Sequence, residues 1–544
     1  MTERVERRSF LKASSALALG LGVAGAAPAP AGKKSPSTSH GKLPYRMIYN
    51  QDDTNLFFRP EEPIEPEHVD QMVDEVAEAG ADLFLACGNS QRVNYPSDVW
   101  PTWWDEYRAR GTVFGGKHQK LVKMVQQQMR LADMGCDYLK RVMERCAQRG
   151  IASGVTVRID DRHWRGPSEV GQHTVDERLA RFYCDEDIYL PESEWNRHGA
   201  HYAYDYECPK VREHYLSLIR ELVERYDLDV LDLDFMRHPP FFDRTDLAKH
   251  CETMTNFVRE INKICAASEK GICICARVPA TPANCRGLGL DVGTWAGEGL
   301  VSGIALGMKN CTGWEAPVDA FRPLVGPNVS LYAGAERQAG RTALAYLPAQ
   351  EGQSKQAATP WSRETLRGFA AGQLANGADG IYLFNFFCGN RPIIDVVAEM
   401  RTLETLRGKP KTYRLTTYGT THAVEADVPM QVPVPVMSQQ ARRFEMLLAT
   451  EPAGTQAEAI VLLDRETRAE DVWLQLNETP LGHASQVRSE PQGPTCYSWW
   501  NIVDETAAAV FNVPVTALKD GRNGLVLRNE GHPVTALGIA VRTG

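Results

Sequence analysis

The sequence predicts an α/β chain in which a parallel (β/α)8 TIM barrel is followed by a C-terminal all-β sandwich. Three observations carry this expectation. Short apolar runs alternate eight times with helical periodicity between about residues 46 and 400, the pattern of strands each returned by a helix. The junctions Ala79-Gly80-Ala81-Asp82 and Asn376-Gly377-Ala378-Asp379 look alike at the two ends of that stretch, as expected when one supersecondary unit recurs. Beyond about residue 413 no long helical period appears. Short Val, Leu and Ala runs are there separated by turn signals such as Glu451-Pro452-Ala453-Gly454 and Asp520-Gly521-Arg522-Asn523-Gly524.

The first 31 residues stand apart from the fold. Glu6-Arg7-Arg8-Ser9-Phe10-Leu11-Lys12 resembles the twin-arginine export signal, and a mildly apolar run, Ala13 to Ala27, leads to small residues at Ala29-Pro30-Ala31. That run is too short and too rich in Ala and Gly to span ~30 Å of hydrocarbon, so no stable membrane anchor is expected. The expected division is a signal peptide over 1–31, a linker over 32–42, a barrel over 43–410 and a sandwich over 411–544. The expected partner is the twin-arginine export machinery, and the expected location is periplasmic or extracellular.

Within the barrel the strands fall in order at 46–49, 81–86, 151–159, 229–235, 271–278, 303–306, 329–333 and 380–386. Val69, Met72, Val73 and Val76 recur at helical spacing until Gly80. Leu139, Val142, Met143 and Cys146 do so until Gly150, and Val211, Tyr215, Leu218 and Leu222 line the helix entering the fourth strand. That strand, Asp229-Val230-Leu231-Asp232-Leu233-Asp234-Phe235, combines a buried apolar pattern with two acids. Side chains alternate along a strand, so Asp232 and Asp234 share one face and Leu231, Leu233 and Phe235 the other. Buried charge is costly unless it is paired or used.

Loop lengths locate the chemistry. Helix-to-strand connections are short, whereas strand-to-helix connections near 88–116, 160–208, 279–290 and 334–362 are long. Long loops in compact domains are usually functional, and these gather at the C-terminal face, where barrel enzymes carry their active sites. Trp100, Trp103, Trp104 and Trp164 in those loops suit either sugar stacking or loop anchoring.

At that face Asp234 lies near the top of strand four with Asp232 one layer deeper, and Glu336 lies just beyond strand seven. Strands five and six offer Arg277 and Lys309 but no carboxylate, so elimination pairs Asp234 with Glu336 as catalytic residues. Two carboxyls across a barrel mouth are what glycoside hydrolysis needs: one protonates the leaving oxygen, the other attacks or activates water. Which acid does which stays open, as does the choice between retention and inversion. Asn50, Asp52, Asn89, Arg158, Asp160, Asp232, Arg237, His238, Arg277 and Asn385 are the candidate substrate-binding residues. Arg158 is read first as part of an interior salt-bridge network, and otherwise as orienting Asp234 or Asp232 or binding an acidic sugar. His198 and His201 are too loosely spaced to define a metal site.

Composition sets the remaining bounds. Net charge is −9 without a basic run after the N-terminus, which argues against nucleic acid as a partner and leaves a carbohydrate as the expected one. Thirteen cysteines with no C-x-x-C pair indicate neither a disulfide framework nor a zinc knuckle. No metal or cofactor is expected. Two alternatives remain: a non-catalytic carbohydrate-binding barrel, and a metal-dependent hydrolase or lyase using Asp160, Asp161, Asp232 and Asp234 with a loop histidine.

The stretch 229–239, D-V-L-D-L-D-F-M-R-H-P, resembles a strand-four motif of glycosyl-hydrolase-like barrel proteins that reads approximately D-G-I-H-L-D-Y-x-R-Y-P. It departs at Val230, Asp232 and His238. The helix entry Asp205-Tyr206-Glu207-Cys208-Pro209-Lys210-Val211-Arg212 is similar to that group's Asp-x-x-x-Pro-x-Val-Arg. The resemblance implies a glycosidase-type barrel with Asp234 as the strand-four acid. Asp229, Asp232 and Asp234 also match the three aspartates of the chitinase-type D-G-x-D-x-D-x-E. Met236 stands where that motif has its proton-donating Glu, which argues against chitinase chemistry.

Overall fold

The computed structural model describes residues 41–52, 55–58, 63–191, 202–243, 245–308, 312–343, 356–416, 431–489 and 507–544. The expected export signal, His198, His201 and Lys309 lie outside them. Eight parallel strands close into a barrel: β1 (Met47–Gln51), β2 (Leu83–Cys87), β3 (Ala152–Arg158), β4 (Val230–Asp234), β5 (Cys273–Pro279), β6 (Gly303–Gly307), β7 (Ser330–Ala335) and β10 (Gly380–Phe384), with β10 paired to β1. Between β7 and β10 the loop carries an antiparallel hairpin, β8 (Gly340–Ala343) and β9 (Gln356–Thr359).

The period-2 alternation divides the strands as expected. Ile48, Leu83, Leu85, Val230, Cys275, Ala305, Tyr332 and Tyr382 form the barrel interior, while Leu231, Leu233 and Phe235 join the layer under the helices. β1 runs two residues beyond its expected end because the upper interior is polar. There Asn50 donates to Thr156 of β3 from inside the barrel, so a polar side chain does not end the strand.

The C-terminal strands form two antiparallel sheets. One contains β11 (Lys411–Arg414), β12 (Val434–Val436), β14 (Ala457–Leu463), β17 (Gln486–Ser489), β18 (Ala507–Asn512) and β20 (Val534–Thr543). The other contains β13 (Gln440–Leu448), β15 (Val472–Leu476), β16 (Thr479–His483) and β19 (Gly521–Asn529). The sandwich docks on the helix that precedes β10, Arg363–Ala375, whose Gly368 and Gly372 lie one turn apart against the backbones of β11 and β13. The fully buried ion pair Lys411–Glu451, at 2.8 Å, ties the first sandwich strand to the turn after β13. Among the described residues no helix is long and apolar enough to cross a membrane.

Candidate active site

Strand register builds the site in two rows. Thr156, Asp232 and Cys275 are partners across β3, β4 and β5, and one pleat higher so are Arg158, Asp234 and Arg277. Shared register and shared face put a polar row beneath a charged row at the C-terminal ends of the strands.

In the lower row Asp232 is fully buried, and its Oδ2 accepts from Thr156 Oγ1 and Tyr382 Oη, each at 2.9 Å. Asn50 Nδ2 lies 3.5 Å from the same oxygen. Burial first, then the neighbouring Asp234 charge, push the Asp232 carboxyl up to about 7. The folded chain therefore keeps a proton here that the unfolded chain releases near pH 4, and stability falls as pH rises from about 4 towards 7. Asp232→Asn, which copies the neutral acid, should remove part of that decline, which is at most ~1.4 kcal/mol for each pH unit crossed in that window. Urea unfolding at pH 5 and pH 8 checks it, and an unchanged pH slope in the variant would refute the assignment.

In the upper row Arg277 reaches both expected catalytic acids. Its Nη1 donates to Asp234 Oδ2 at 3.2 Å, and its Nη2 donates to Glu336 Oε1. The acids of β4 and the β7 end are thus joined through one guanidinium rather than standing free on opposite walls. Arg277 is itself buried, and its cation is retained because the Asp234 and Glu336 charges outweigh the desolvation that burial imposes. The Phe384 ring lies under the guanidinium at 4.0 Å. Asp234 also accepts from the Met236 backbone N–H at 2.8 Å. Glu336 is pushed up to about 7, mainly by burial; Asp234 and Asp52 add to the rise, and Arg277 and Arg237 oppose it.

Beside this pair lies an ion-pair network. Arg158 Nη1 donates to Asp161 Oδ2 at 2.7 Å and its Nη2 to Asp52 Oδ1, so Arg158 belongs to the interior network and not to Asp234 or Asp232. Burial alone would raise Asp52, but Arg158, Arg237 and Asn385 outweigh it and leave the carboxyl at about 2. Asp161 is likewise held well below the usual range, its burial outweighed by His163 and Arg158. Asn385 follows β10 in the left-handed region, φ 52°, and its Oδ1 accepts from the Asp52 N–H at 2.8 Å. His238 Nδ1 accepts from the Arg162 N–H at 3.1 Å.

The structure thus brings Asp52, Arg158, Asp234, Arg237, His238, Arg277, Glu336 and Asn385 together at the mouth. Asn50 and Asp232 lie a layer below. Asn89 does not face the mouth: its amide bonds both the N–H and the C=O of Arg158, at 2.9 and 3.2 Å, and braces β3. Asp160 points away to Arg165, whose guanidinium sits 3.6 Å above the Tyr204 ring. Both were expected to bind substrate, and their hydrogen-bonding capacity is directed to the protein instead. Trp100, Trp103 and Trp104 are buried loop anchors, whereas Trp164 is partly exposed.

His163 is not among the residues the sequence singles out. Its Nδ1 lies 2.8 Å from Asp161 Oδ1. The available signal is the dense run Asp160-Asp161-Arg162-His163-Trp164-Arg165 at the C-terminal end of a barrel strand.

The acids of the metal-dependent alternative do not converge, since Asp160 faces Arg165 and Asp232 lies in the lower row. Among the described residues Asp161, His163 and His238 have donor atoms within 4.8 Å of one another. Arg158 already occupies Asp161 Oδ2 and Arg237 stands 3.6 Å from it, a setting of positive charge that opposes a divalent cation.

No family model matches the chain, and no curated protein matches it. Solved structures similar to it include an α-L-fucosidase isoenzyme 2 from Paenibacillus thiaminolyticus, at 13% identity and TM-score 0.41, covering 66% of this chain and 49% of the fucosidase. The match thus spans about half of that enzyme. The PgaB (BpsB) glycoside hydrolase domain from Bordetella bronchiseptica matches at 10% identity and TM-score 0.44, covering 66% and 99%. A β-L-arabinopyranosidase from Geobacillus stearothermophilus matches at 13% and 0.38, covering 89% and 96%.

Proposed function

We propose that the chain is an exported glycoside hydrolase that cleaves an oligo- or polysaccharide at the barrel mouth, with Glu336 as proton donor and Asp234 as the ionised partner. The observation that carries this reading is the pair of buried acids bridged by Arg277 in unlike surroundings. Burial keeps a proton on Glu336 up to about neutral pH, the requirement for protonating a leaving oxygen. Asp234 accepts from a guanidinium and a backbone N–H, bonds suited to an anion that attacks the anomeric carbon or activates water. Arg277 compensates the charge that Glu336 acquires when it gives up its proton.

A chain lacking residues 1–31 should be screened against a glycan panel for both binding and reducing-end release. Release supports the hydrolase. Binding without release by the unmutated protein would replace it with a carbohydrate-binding barrel. Export is tested separately: Arg7→Lys combined with Arg8→Lys should leave the full-length precursor in the cytoplasm, and undiminished appearance outside it would refute the twin-arginine route.

A further inference from the structure

Asp52 and Asp161 each accept a hydrogen bond from Arg158. Asp161 is further satisfied by His163, whose backbone N–H and Nδ1 lie 2.9 and 2.8 Å from Oδ1. A second guanidinium, that of Arg237, nevertheless stands beside both carboxylates. Its Nη2 is 3.7 Å from Asp52 Oδ2 and its Nε 3.6 Å from Asp161 Oδ2. Neither separation is a hydrogen bond, and the Nε has no hydrogen-bond partner among the described residues. The contrast with Arg158 is direct: that side chain is 3% exposed and bonds both Asp52 and Asp161, whereas Arg237 is 18% exposed with its Nε unsatisfied. Holding that guanidinium among carboxylates without a hydrogen-bond acceptor at its Nε costs desolvation, and an incoming oxyanion offsets that by supplying the missing acceptor.

The neighbours of Arg237 suit a sugar that carries such a group. His163 flanks the other oxygen of Asp161, and its ring centroid is 5.3 Å from that of Trp164. Trp164 is held at φ 54°, a conformation rare for a bulky residue and one that clusters at ligand sites. Its indole packs against Trp103, Phe114 and His118, with ring centroids 5.6, 5.8 and 5.8 Å away, and stays partly exposed, so it borders the subsite with an apolar edge. The Arg237 charge also acts on Glu336, lowering its carboxyl against the effect of burial.

We infer that Arg237, with His163 on the other oxygen of Asp161, forms a subsite for an oxyanion on the substrate, so that the preferred glycan carries sugar carboxylates or sulfate esters. The inference rests on the glycan-active reading above, and its test separates the two. Calorimetry would compare a panel of uronate-containing and sulfated glycans with their carboxyl-reduced and desulfated forms, using the chain without residues 1–31. At least one native acidic glycan should bind ~10-fold or more tightly than its neutralised form, and the arm that loses affinity identifies the oxyanion. Arg237→Gln should bring that ratio close to one, with Arg237→Lys intermediate, and thermal melts confirm that the variants are folded. Equal affinity for native and neutralised glycans, a preference that survives Arg237→Gln, or no binding of any acidic glycan overturns the inference. Cleavage of neutral glycans alone would leave the hydrolase standing without this subsite. Arg237-dependent binding without reducing-end release would leave the subsite standing without the hydrolase.

Discussion

Glu336→Gln should lower turnover by ~10²–10⁴ while binding of the glycan changes little, because general acid catalysis contributes about that much. Asp234→Asn should fall at least as far, since it removes the group that attacks or activates water. The pH profile makes the two losses distinguishable. Glu336 is pushed up to about 7, so under the proposed reaction the unmutated chain should lose activity as pH rises through neutrality, when the donor's proton is released. That alkaline limb should vanish from the residual rate of Glu336→Gln and persist in Asp234→Asn.

Stability supplies an independent check. A carboxyl whose folded value exceeds its unfolded value contributes stability at low pH and loses it as pH rises towards the folded value. Gln copies the protonated state, so Glu336→Gln should melt no lower than the unmutated chain at pH 8. Full turnover in the variant would remove Glu336 from the scheme. A large fall in melting temperature would show instead that the Arg277 bridge is structural.

The second large effect is expected where barrel and sandwich meet. A Cβ on Gly368 would strike the Thr412 carbonyl of β11, and one on Gly372 would stand 2.7 Å from the Leu447 carbonyl of β13. Both obstacles are main chain, so neither yields by a change of rotamer. Overpacking of this kind costs ~1–3 kcal/mol per site, and the double variant Gly368→Ala with Gly372→Ala should lose several kcal/mol. Calorimetry should show a lower melting temperature or a split into two transitions. Gly287→Ala is the control: that helical glycine has nothing near its absent Cβ, and filling it should be neutral to mildly stabilising. Equal behaviour of the two helices would mean that the glycine seam does not govern docking.

Much of the architecture is legible in the amino-acid order. All eight expected barrel strands are present with ends shifted by at most two residues, because an apolar run followed by a helical stripe is a local property of the chain. The hairpin β8–β9 is not legible: Gly340–Ala343 and Gln356–Thr359 are four residues each, and the Pro348 and Gly352 between them suit a long loop as well as a hairpin. Asn89 and Asp160 illustrate a different limit. Both sit at strand ends where substrate contacts are expected, yet Asn89 braces the Arg158 backbone and Asp160 faces Arg165. Position along a strand says where a residue starts, but not which neighbour it meets.

The acidic strand divides the two kinds of knowledge most clearly. That Asp232 and Asp234 share one face of β4 while Leu231, Leu233 and Phe235 take the other follows from the two-residue period, which needs no partner strand. What those acids do was decided only by the closed barrel. Arg277 and Glu336 reach Asp234's surroundings from 43 and 102 positions away in the chain. Asp232 meets Tyr382 across 150 residues. Protonation state depends on burial and on the charges nearby, and both are properties of strands brought together by closure.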